Sequence, residues 1–299
     1  MIKSNFNGNY EFAPERTFDF SPFLDKLKGI SIYFGMGVDE ESTENDTNFK
    51  VKINMETPNL LYWYDSAKEF NKYDLILHLC PYTCDYLNAK FNTNKFKSIY
   101  YPISPYVYTS ERTINTYYTG RYIDLYPIQI IYIIMNKYIG ENMINSLDIE
   151  MSDNSTKRYY DKLNILSRTK ICLVHNVLLP VTHFPNYSKY INDSLFKEHI
   201  PWHDDTLTLV PQLKSRMFEG ALMGCILLVY RDEYNIVERY FEENKDFIYF
   251  DSDEDLDSTV KLILDNYDEY KHIAENAKNK VMNNYMIGNL VDFIIENKK

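Results

Sequence analysis

Residues 206–230 read TLTLVPQLKSRMFEGALMGCILLVY, and this stretch decides the predicted fold. The run TLTLV is β-branched and apolar and predicts a strand. A helical pattern follows from about Lys214, and Gly224 ends it before the apolar strand CILLVY. This order predicts one βαβ unit, whose right-handed crossover makes the two strands parallel in one sheet. Such sheets bind ligands where strands end and helices begin, so we expect a binding site at the start of this helix.

The start of the predicted helix carries two cations and, one turn later, a carboxylate. Lys214 and Arg216 flank Ser215 in the first turn, and Glu219 shares a helix face with Arg216. One interpretation is a surface ion pair, which contributes little to stability. The other is a nucleotide-diphosphate site, in which the cations and free N–H groups bind phosphates and both oxygens of Glu219 accept ribose hydroxyls. Because cations in a first turn oppose the helix dipole, their placement favours an anionic ligand.

The sequence around Glu219 also resembles a known family. KSRMFEGALMGCILL, the later strand FIYF, the acidic cap EDL and the helical run IAENAKNKVMNNY resemble the carboxy-terminal half of GT-B glycosyltransferases of the group 1 type. The resemblance implies that Arg216 and Lys214 approach the diphosphate of a sugar nucleotide and that Glu219 approaches the ribose. Many members have a further glutamate upstream, facing the donor sugar, and here Pro211 occupies its place. The donor-sugar contacts and the stereochemical outcome are therefore not implied.

The resemblance implies an α/β fold of two Rossmann-like domains, with parallel sheets flanked by helices and a compact amino-terminal domain. The first domain, residues 1–108, holds the predicted strands ISIYFG, FKVKIN, DLILHLC and KSIYYPIS, has few helices and is the acceptor side. Two prolines in YPISPYVYTSER indicate the linker. Residues 109–284 are the predicted nucleotide-sugar-binding domain, with the strands INTYYTG and KICLVHNVLLP and a helix over about 156–169. A terminal helix, 285–299, is expected to pack back on the first domain.

Four more candidate binding residues lie where strands of the second domain end. Gly120 and Arg121 follow INTYYTG, and the interpretations are a simple turn or a phosphate-binding loop, which the resemblance favours. His175 and Asn176 interrupt the apolar run of KICLVHNVLLP. Either backbone groups satisfy these two polar side chains, or the side chains face the nucleotide or the donor sugar.

The acceptor side offers candidates for a catalytic base, which an inverting transferase needs to remove the acceptor proton. His78 lies near the end of an apolar strand and Asp85 lies on the next element, so we predict these two as catalytic. A core histidine satisfied by its neighbours is the other interpretation of His78. Asp39, Glu40 and Glu41 are alternative bases.

Residues 181–205 show no clear periodicity and contain several histidines and aromatic residues. A long irregular segment inside a domain is typical of a functional lid, and its aromatic rings suit stacking on a sugar.

Acidic residues cluster at Asp251, Asp253, Asp255 and Asp257. A calcium loop would need a glycine where Leu256 stands. Acidic residues ahead of a helix are common capping residues, so we predict a capped helix here and no metal site.

The composition excludes several classes of partner. The 299 residues carry a formal net charge of −11, which argues against nucleic acid as a partner, because nucleic-acid binding relies on Lys and Arg.

The sequence starts with no signal peptide, and no apolar run reaches the ~20 residues that span a bilayer. Four cysteines in apolar contexts predict buried thiols in a reducing compartment, so we expect a cytoplasmic protein. Peripheral contact with a membrane-bound acceptor stays open.

The resemblance thus implies a metal-independent glycosyltransferase with no cofactor. Its donor substrate is a nucleotide-diphosphate sugar, and its acceptor is a hydroxyl of a glycan, glycolipid or glycoprotein. One alternative is a catalytically inactive module that binds a nucleotide sugar or a glycan. A Rossmann oxidoreductase is disfavoured because the sequence lacks GxGxxG with a downstream acidic residue.

Overall fold

The computed structural model describes residues 2–4, 20–34, 46–54, 70–103, 108–118, 144–145, 155–180, 192–201 and 209–298. Two parallel sheets organise these residues. The elements of the first sheet are the strands β1 (Ile2–Ser4), β2 (Ile30–Phe34), β3 (Phe49–Asn54), β4 (Leu75–His78) and β5 (Phe96–Ser98) and the helix α1 (Pro81–Phe91). The described strands pair in the order β1-β2-β3-β4-β5, and every pair is parallel.

The first sheet confirms the strands predicted from ISIYFG, FKVKIN and DLILHLC, whereas β5 contains only the first two residues of KSIYYPIS. In FKVKIN the apolar and polar residues alternate, yet every residue from Val51 to Asn54 is buried. Lys52 itself is fully buried. Sequence inspection gave no helix after DLILHLC, although α1 has ordinary end signals. Pro81 occupies its first turn, and Asn92 ends it in the left-handed conformation at φ 48°.

The second sheet and its helices follow along the chain. The elements are β6 (Ile114–Tyr118), β7 (Ile144–Asn145), α2 (Ser155–Ser167), β8 (Thr169–Val174), β9 (Val177–Pro180), α3 (Ser194–His199), β10 (Leu209–Pro211), α4 (Ser215–Leu222), β11 (Ile226–Tyr230), β12 (Ile248–Phe250), α5 (Asp253–Asp265), α6 (Tyr267–Asn284) and α7 (Ile287–Lys298). The described strands pair in the order β12-β11-β8-β6-β7, again all parallel. Parallel sheets flanked by helices confirm the predicted fold class.

The strand before α4 corrects the predicted βαβ unit. The described part of TLTLV, β10, pairs antiparallel with β9 in a separate ribbon and is not a strand of the parallel sheet. The parallel partner of β11 is β8, with Ile226 opposite Ile171. KICLVHNVLLP likewise forms two strands, because His175 and Asn176 separate β8 from β9. The polar pair ends the buried strand, and β9 then leaves the sheet together with β10.

The terminal helix α7 packs on the first sheet. Its buried residues Ile287, Leu290, Val291 and Ile294 share an apolar cluster with residues of β2, β3 and β4. The Nζ of Lys298 donates to the carbonyl oxygen of Gly29 at 3.2 Å. The last helix therefore lies against the sheet formed by the earliest part of the chain.

The short helix α3 makes a second contact between the two parts of the chain. It lies within 181–205, most of which is outside the described residues. Asp193 caps it by accepting from the N–H groups of Leu195 and Phe196. The Phe196 ring meets Tyr86 of α1 edge to face at 5.3 Å, and the Tyr86 hydroxyl donates to Asp193 at 2.9 Å. The described residues 192–201 thus pack against α1, the helix of the first sheet.

The acidic cluster at 251–257 forms the predicted helix start. Ser252 precedes α5, and its hydroxyl accepts from the N–H of Asp255 at 3.2 Å. Asp253, Glu254 and Asp255 occupy the first turn, where they complement the helix dipole. The prediction of a capped helix is confirmed. Nowhere in the described ranges do three His, Cys, Asp or Glu side chains gather as a metal would require. None of the described helices has the length and apolarity to cross a membrane.

Candidate functional site

The helix α4 is packed tightly against the second sheet. Every residue from Arg216 to Leu222 is buried, and Gly224 ends the helix with φ +73°. A Cβ at Gly220 would lie 2.9 Å from Leu227 Cδ2 and 3.1 Å from Cys172 Sγ. Only glycine fits at this distance between helix and strands. The close approach buries the preceding residue, Glu219, beside the sheet.

Glu219 forms a buried ion pair that the sequence did not predict. The Nζ of Lys162, on α2, lies 2.7 Å from Glu219 Oε1, and the glutamate side chain is 1% exposed. Within the described part of the chain, the other oxygen, Oε2, is buried and has no hydrogen-bond partner. The surface ion pair between Arg216 and Glu219 is therefore wrong, because both residues are buried and Glu219 pairs with Lys162.

Arg216 lies over the ring of Tyr118, at the end of β6. Its guanidinium carbon is 4.5 Å from the ring centre, and Arg216 is buried. The Tyr118 hydroxyl is 2.9 Å from His175 Nε2, and the two rings are stacked with an interplanar angle of 18°. Arg216 Nη1 is buried and has no partner among the described residues. The structure thus brings Arg216 and His175 together through Tyr118.

Asn176 fixes the residue that precedes α4. Its Oδ1 accepts from the backbone N–H of Lys214 at 2.8 Å, and its carbonyl oxygen accepts from the N–H of Gln212 at 2.7 Å. The Lys214 ammonium donates to the Gln212 side chain. Of the two interpretations of Asn176, satisfaction by backbone holds for Oδ1. Its Nδ2 is buried and has no partner within the described ranges. Ser215 is the first residue of the helix, as expected.

These residues concentrate positive charge in an acidic protein. Lys162 pairs with Glu219, and Lys214 and Arg216 lie at the start of the same helix as Glu219, in a chain of net charge −11. The backbone N–H groups at the start of α4 have no side-chain cap, and no acidic residue lies in its first turn. Burial, followed by the charges of Cys172 and Glu219, raises the pKa of Tyr117, which keeps that phenol neutral. The arrangement can bind an anion next to a hydrogen-bond acceptor.

The two predicted catalytic residues occupy different environments. His78 ends β4 and is 2% exposed, and its Nδ1 accepts from the N–H of Cys80 at 2.9 Å. This hydrogen bond places the proton of the neutral ring on Nε2, which is buried without a partner among the described residues. Burial lowers the pKa of His78 to about 4. Asp85 lies on the exposed side of α1, and no hydrogen bond or ion pair joins it to His78 within the described residues. The structure does not bring these two groups together.

Several candidates lie outside the described residues: Gly120, Arg121, Asp39, Glu40 and Glu41. Sequence reasoning also missed two members of the site, Lys162 and Tyr118. Each belongs to a correctly predicted element, but only the packing of α4 against α2 and β6 brings them to Glu219 and Arg216.

The comparison with known families concerns the same half of the chain. Residues 151–296, which include α4 and its partners on α2, match the family model described as glycosyl transferase-like. The match covers just under half of the 299 residues, so it is a similarity of this part of the chain. The match contains Lys162, Arg216 and Glu219. No curated protein sequence matches the chain significantly.

Solved structures extend the likeness to the whole described fold. An α-glucosyltransferase with UDP-glucose and abasic-site DNA has a TM-score of 0.57 at 11% identity, covering 89% of this chain and 80% of its own. A mutant of S. aureus TarM with fondaparinux, α-GlcNAc-glycerol and UDP has a TM-score of 0.52 at 11% identity, covering 92% of this chain. Anabaena HepE with UDP-glucose has a TM-score of 0.51 at 7% identity, covering 90% of this chain and 78% of its own. The fold that they share with the chain is GT-B.

The chain spans about half the length of the TarM structures that it matches, 54% and 56%. At these identities the likeness establishes the fold alone.

Proposed function

We propose that this protein transfers a glycosyl group from a nucleotide-diphosphate sugar to an acceptor hydroxyl. One observation carries the proposal: Arg216 and Glu219, one turn apart on α4, are both buried, and each has a polar atom without a partner in the described structure. A buried polar group without a partner costs free energy, so the arrangement favours a ligand that supplies both partners. A nucleoside diphosphate offers phosphate oxygens to Arg216 and ribose hydroxyls to Glu219.

The proposed chemistry needs no metal or other cofactor. When the sugar leaves, the diphosphate gains negative charge in the transition state, and preorganised cations stabilise that charge. Arg216, Lys214, Ser215 N–H and the start of α4 are the groups we assign to this role, with Gly120 and Arg121 as further candidates. His175 supports Arg216 through Tyr118, and Asn176 holds the backbone of Lys214.

We assign the acceptor to the first sheet, and a carbohydrate-containing hydroxyl is the proposed acceptor class. TarM and HepE were solved with UDP or UDP-glucose, and one neighbour was solved with DNA. The net charge of −11 disfavours a nucleic-acid acceptor here. His78 and Asp85 remain the proposed acceptor-side groups. For His78, removal of the acceptor proton would require its basic nitrogen, Nδ1, to leave the Cys80 N–H and face the acceptor, because Nε2 carries the ring proton.

The test is release of nucleoside diphosphate from a panel of UDP-, GDP-, ADP- and CDP-sugars, with and without EDTA. We expect one donor to be consumed at equal rates in both conditions. Arg216→Ala should lose at least about tenfold in kcat/KM, which corresponds to about 1.4 kcal/mol. Arg231→Ala is the matched control, because Arg231 pairs with Glu243 and Asp251 on another part of the same half.

Pro211 supports a second candidate, a module that binds the nucleotide sugar without transferring the sugar. It occupies the place where the resembled family has a glutamate facing the donor sugar, and in the structure it ends β10 immediately before Gln212. Nucleotide binding by the wild type without release of nucleoside diphosphate from any donor would support this candidate and contradict transfer.

A further inference from the structure

Lys162 is the residue that decides which oxygen of Glu219 is available. Its ammonium donates a hydrogen bond to Oε1 at 2.7 Å, and the glutamate side chain is almost fully buried. Oε2 has no partner within the described residues. An ionised carboxylate accepts hydrogen bonds through both oxygens and donates none. Oε2 is therefore the oxygen that is wholly left for a ligand, whereas Oε1 already accepts from Lys162.

The Lys162 side chain is itself held in place. Its ammonium lies 4.9 Å from the centre of the Tyr159 ring, one turn earlier on α2. Leu163 and Leu166 of the same helix are fully buried in the cluster that also contains Met217 and Phe218 of α4. The side chain of Lys162 is 21% exposed, so it is not sealed inside the protein as Glu219 is. An ammonium has three donors, and the ion pair uses one of them.

The geometry points to Lys162 as a positioning residue that fixes Glu219 for reading the ribose hydroxyls, so that the pair distinguishes ribonucleotides from 2′-deoxyribonucleotides. The inference rests on the proposed nucleotide site. Oε2 accepts from a ribose hydroxyl, and the remaining ammonium donors can serve a hydroxyl oxygen. Without Lys162 the carboxylate can rotate about its last side-chain bond, and a buried negative charge loses its direct partner.

Discrimination follows from the loss of one hydroxyl. A hydrogen bond to a charged group contributes about 1.5–3 kcal/mol, so a 2′-deoxyribonucleotide should bind roughly 10- to 100-fold more weakly. This preference should depend on Lys162, because a freely rotating Glu219 can pair with the 3′-hydroxyl that both nucleotides keep. A purely structural role for Lys162 would change the affinities for both sugars by the same factor.

The experiment compares a nucleoside diphosphate with its 2′-deoxy counterpart by calorimetric titration. The probe is whichever of UDP, GDP, ADP and CDP binds the wild type most tightly. For Lys162→Met, we expect the affinity for the ribonucleotide to fall about tenfold and the ribose preference to fall to within about twofold of unity. Lys162→Arg should restore most of the preference, since it keeps a cation beside Oε1. Lys170→Met is the matched control, because Lys170 contacts Asn115 and Tyr267 away from α4.

Equal losses for both nucleotides, or no loss, in a folded Lys162→Met protein would overturn the inference while leaving the nucleotide site intact. Binding of none of the four diphosphates to the wild type would instead contradict the proposed function, and the inference with it. Where Lys162→Met fails to fold, as judged by its thermal transition, Lys162→Gln takes its place with the same two expected outcomes.

Discussion

The guanidinium carbon of Arg216 lies 4.5 Å from the centre of the Tyr118 ring. Arg216 comes from the first turn of α4 and Tyr118 from the end of β6, so the contact joins the helix start to the edge of the parallel sheet. A cation over an aromatic face is stabilised most when both are withdrawn from water, and both residues are buried. The ring thereby supports a positive charge at the point where we propose that the diphosphate binds.

Two substitutions of Tyr118 should separate the roles of its ring and its hydroxyl. Tyr118→Phe keeps the ring under Arg216 but removes the hydrogen bond to His175, so we expect a loss of about 1 kcal/mol in stability and little change in nucleotide affinity. Tyr118→Leu removes the aromatic face and should weaken nucleotide binding by about three- to tenfold. Calorimetric titration and thermal unfolding of both variants test this. Equal affinities for the two variants would show that the ring does not support Arg216.

Gly220 should tolerate no larger residue. A Cβ there would lie 2.9 Å from Leu227 and 3.1 Å from Cys172, so Gly220→Ala should lower the free energy of unfolding by about 1–3 kcal/mol through overpacking. The matched control is Gly288→Ala on α7, where the added carbon would lie 3.4 Å from Phe23, an ordinary contact. That variant should be stabilised by up to about 0.5–1 kcal/mol, because alanine is the better helix former. Thermal or urea unfolding gives both values, and a stable Gly220→Ala protein would contradict the close packing of α4.

Arg112 should be needed for the stability of the second half. Its Nη1 donates to the carbonyl oxygens of Leu166 and Thr169, and its Nη2 donates to those of Met223 and Gly224. The carbonyls of Leu166, Met223 and Gly224 lie at the ends of α2 and α4, the helices that carry Lys162 and Glu219, and that of Thr169 begins β8. Arg112→Ala should cost about 2–4 kcal/mol in urea unfolding. Arg112→Lys keeps the charge but cannot reach both ends, so it should lose nearly as much. If the lysine variant matched the wild type, charge alone would explain the role of Arg112.

Sequence patterns predicted the elements of this fold better than their pairing. The apolar runs of β2, β4 and β11 and the acidic residues at the start of α5 are local signals, and each prediction is confirmed. The pairing of β10 with β9 is not a local signal. This pairing depends on two long-range features. His175 and Asn176 end β8, and the carbonyl oxygen of Asn176 then accepts from the backbone N–H of Gln212, next to β10.

The residues of the candidate site show the same contrast between local sequence signals and long-range contacts. Lys214, Arg216 and Glu219 could be selected from spacing on one helix, and the structure places all three at α4. The burial of Arg216 and Glu219 could not be predicted from this spacing. Nor could the pairing of Glu219 with Lys162, because Lys162 lies on a different helix. A lysine in a helix is usually exposed, and only the close packing around Gly220 reveals that this one pairs with a buried carboxylate.

Asp232 should make stability depend on pH between about 4 and 6. Its Oδ1 accepts from the N–H groups of Tyr234 and Ile236, and burial raises its pKa from 3.8 to about 6. Because the pKa of Asp232 is higher in the folded than in the unfolded state, its stabilising contribution to the free energy of unfolding is fully present below the pKa of the unfolded state. This contribution is lost as the pH rises through the pKa of the folded state. From pH 4 to pH 7, Asp232→Asn should therefore gain about 1–3 kcal/mol relative to the wild type in urea unfolding. A difference that does not change with pH would contradict a buried, readily protonated Asp232.

Equilibrium binding of nucleoside diphosphates tests the central claim, that α4 presents Arg216 and Glu219 to a sugar nucleotide. The measurement is calorimetric titration of the wild type, Arg216→Ala and Glu219→Gln with UDP, GDP, ADP and CDP, each variant first shown to be folded. We predict that at least one diphosphate binds the wild type and that each substitution weakens it by about tenfold or more, which is about 1.4 kcal/mol. Binding that is unchanged in both folded variants would place the nucleotide elsewhere and contradict the site described at α4.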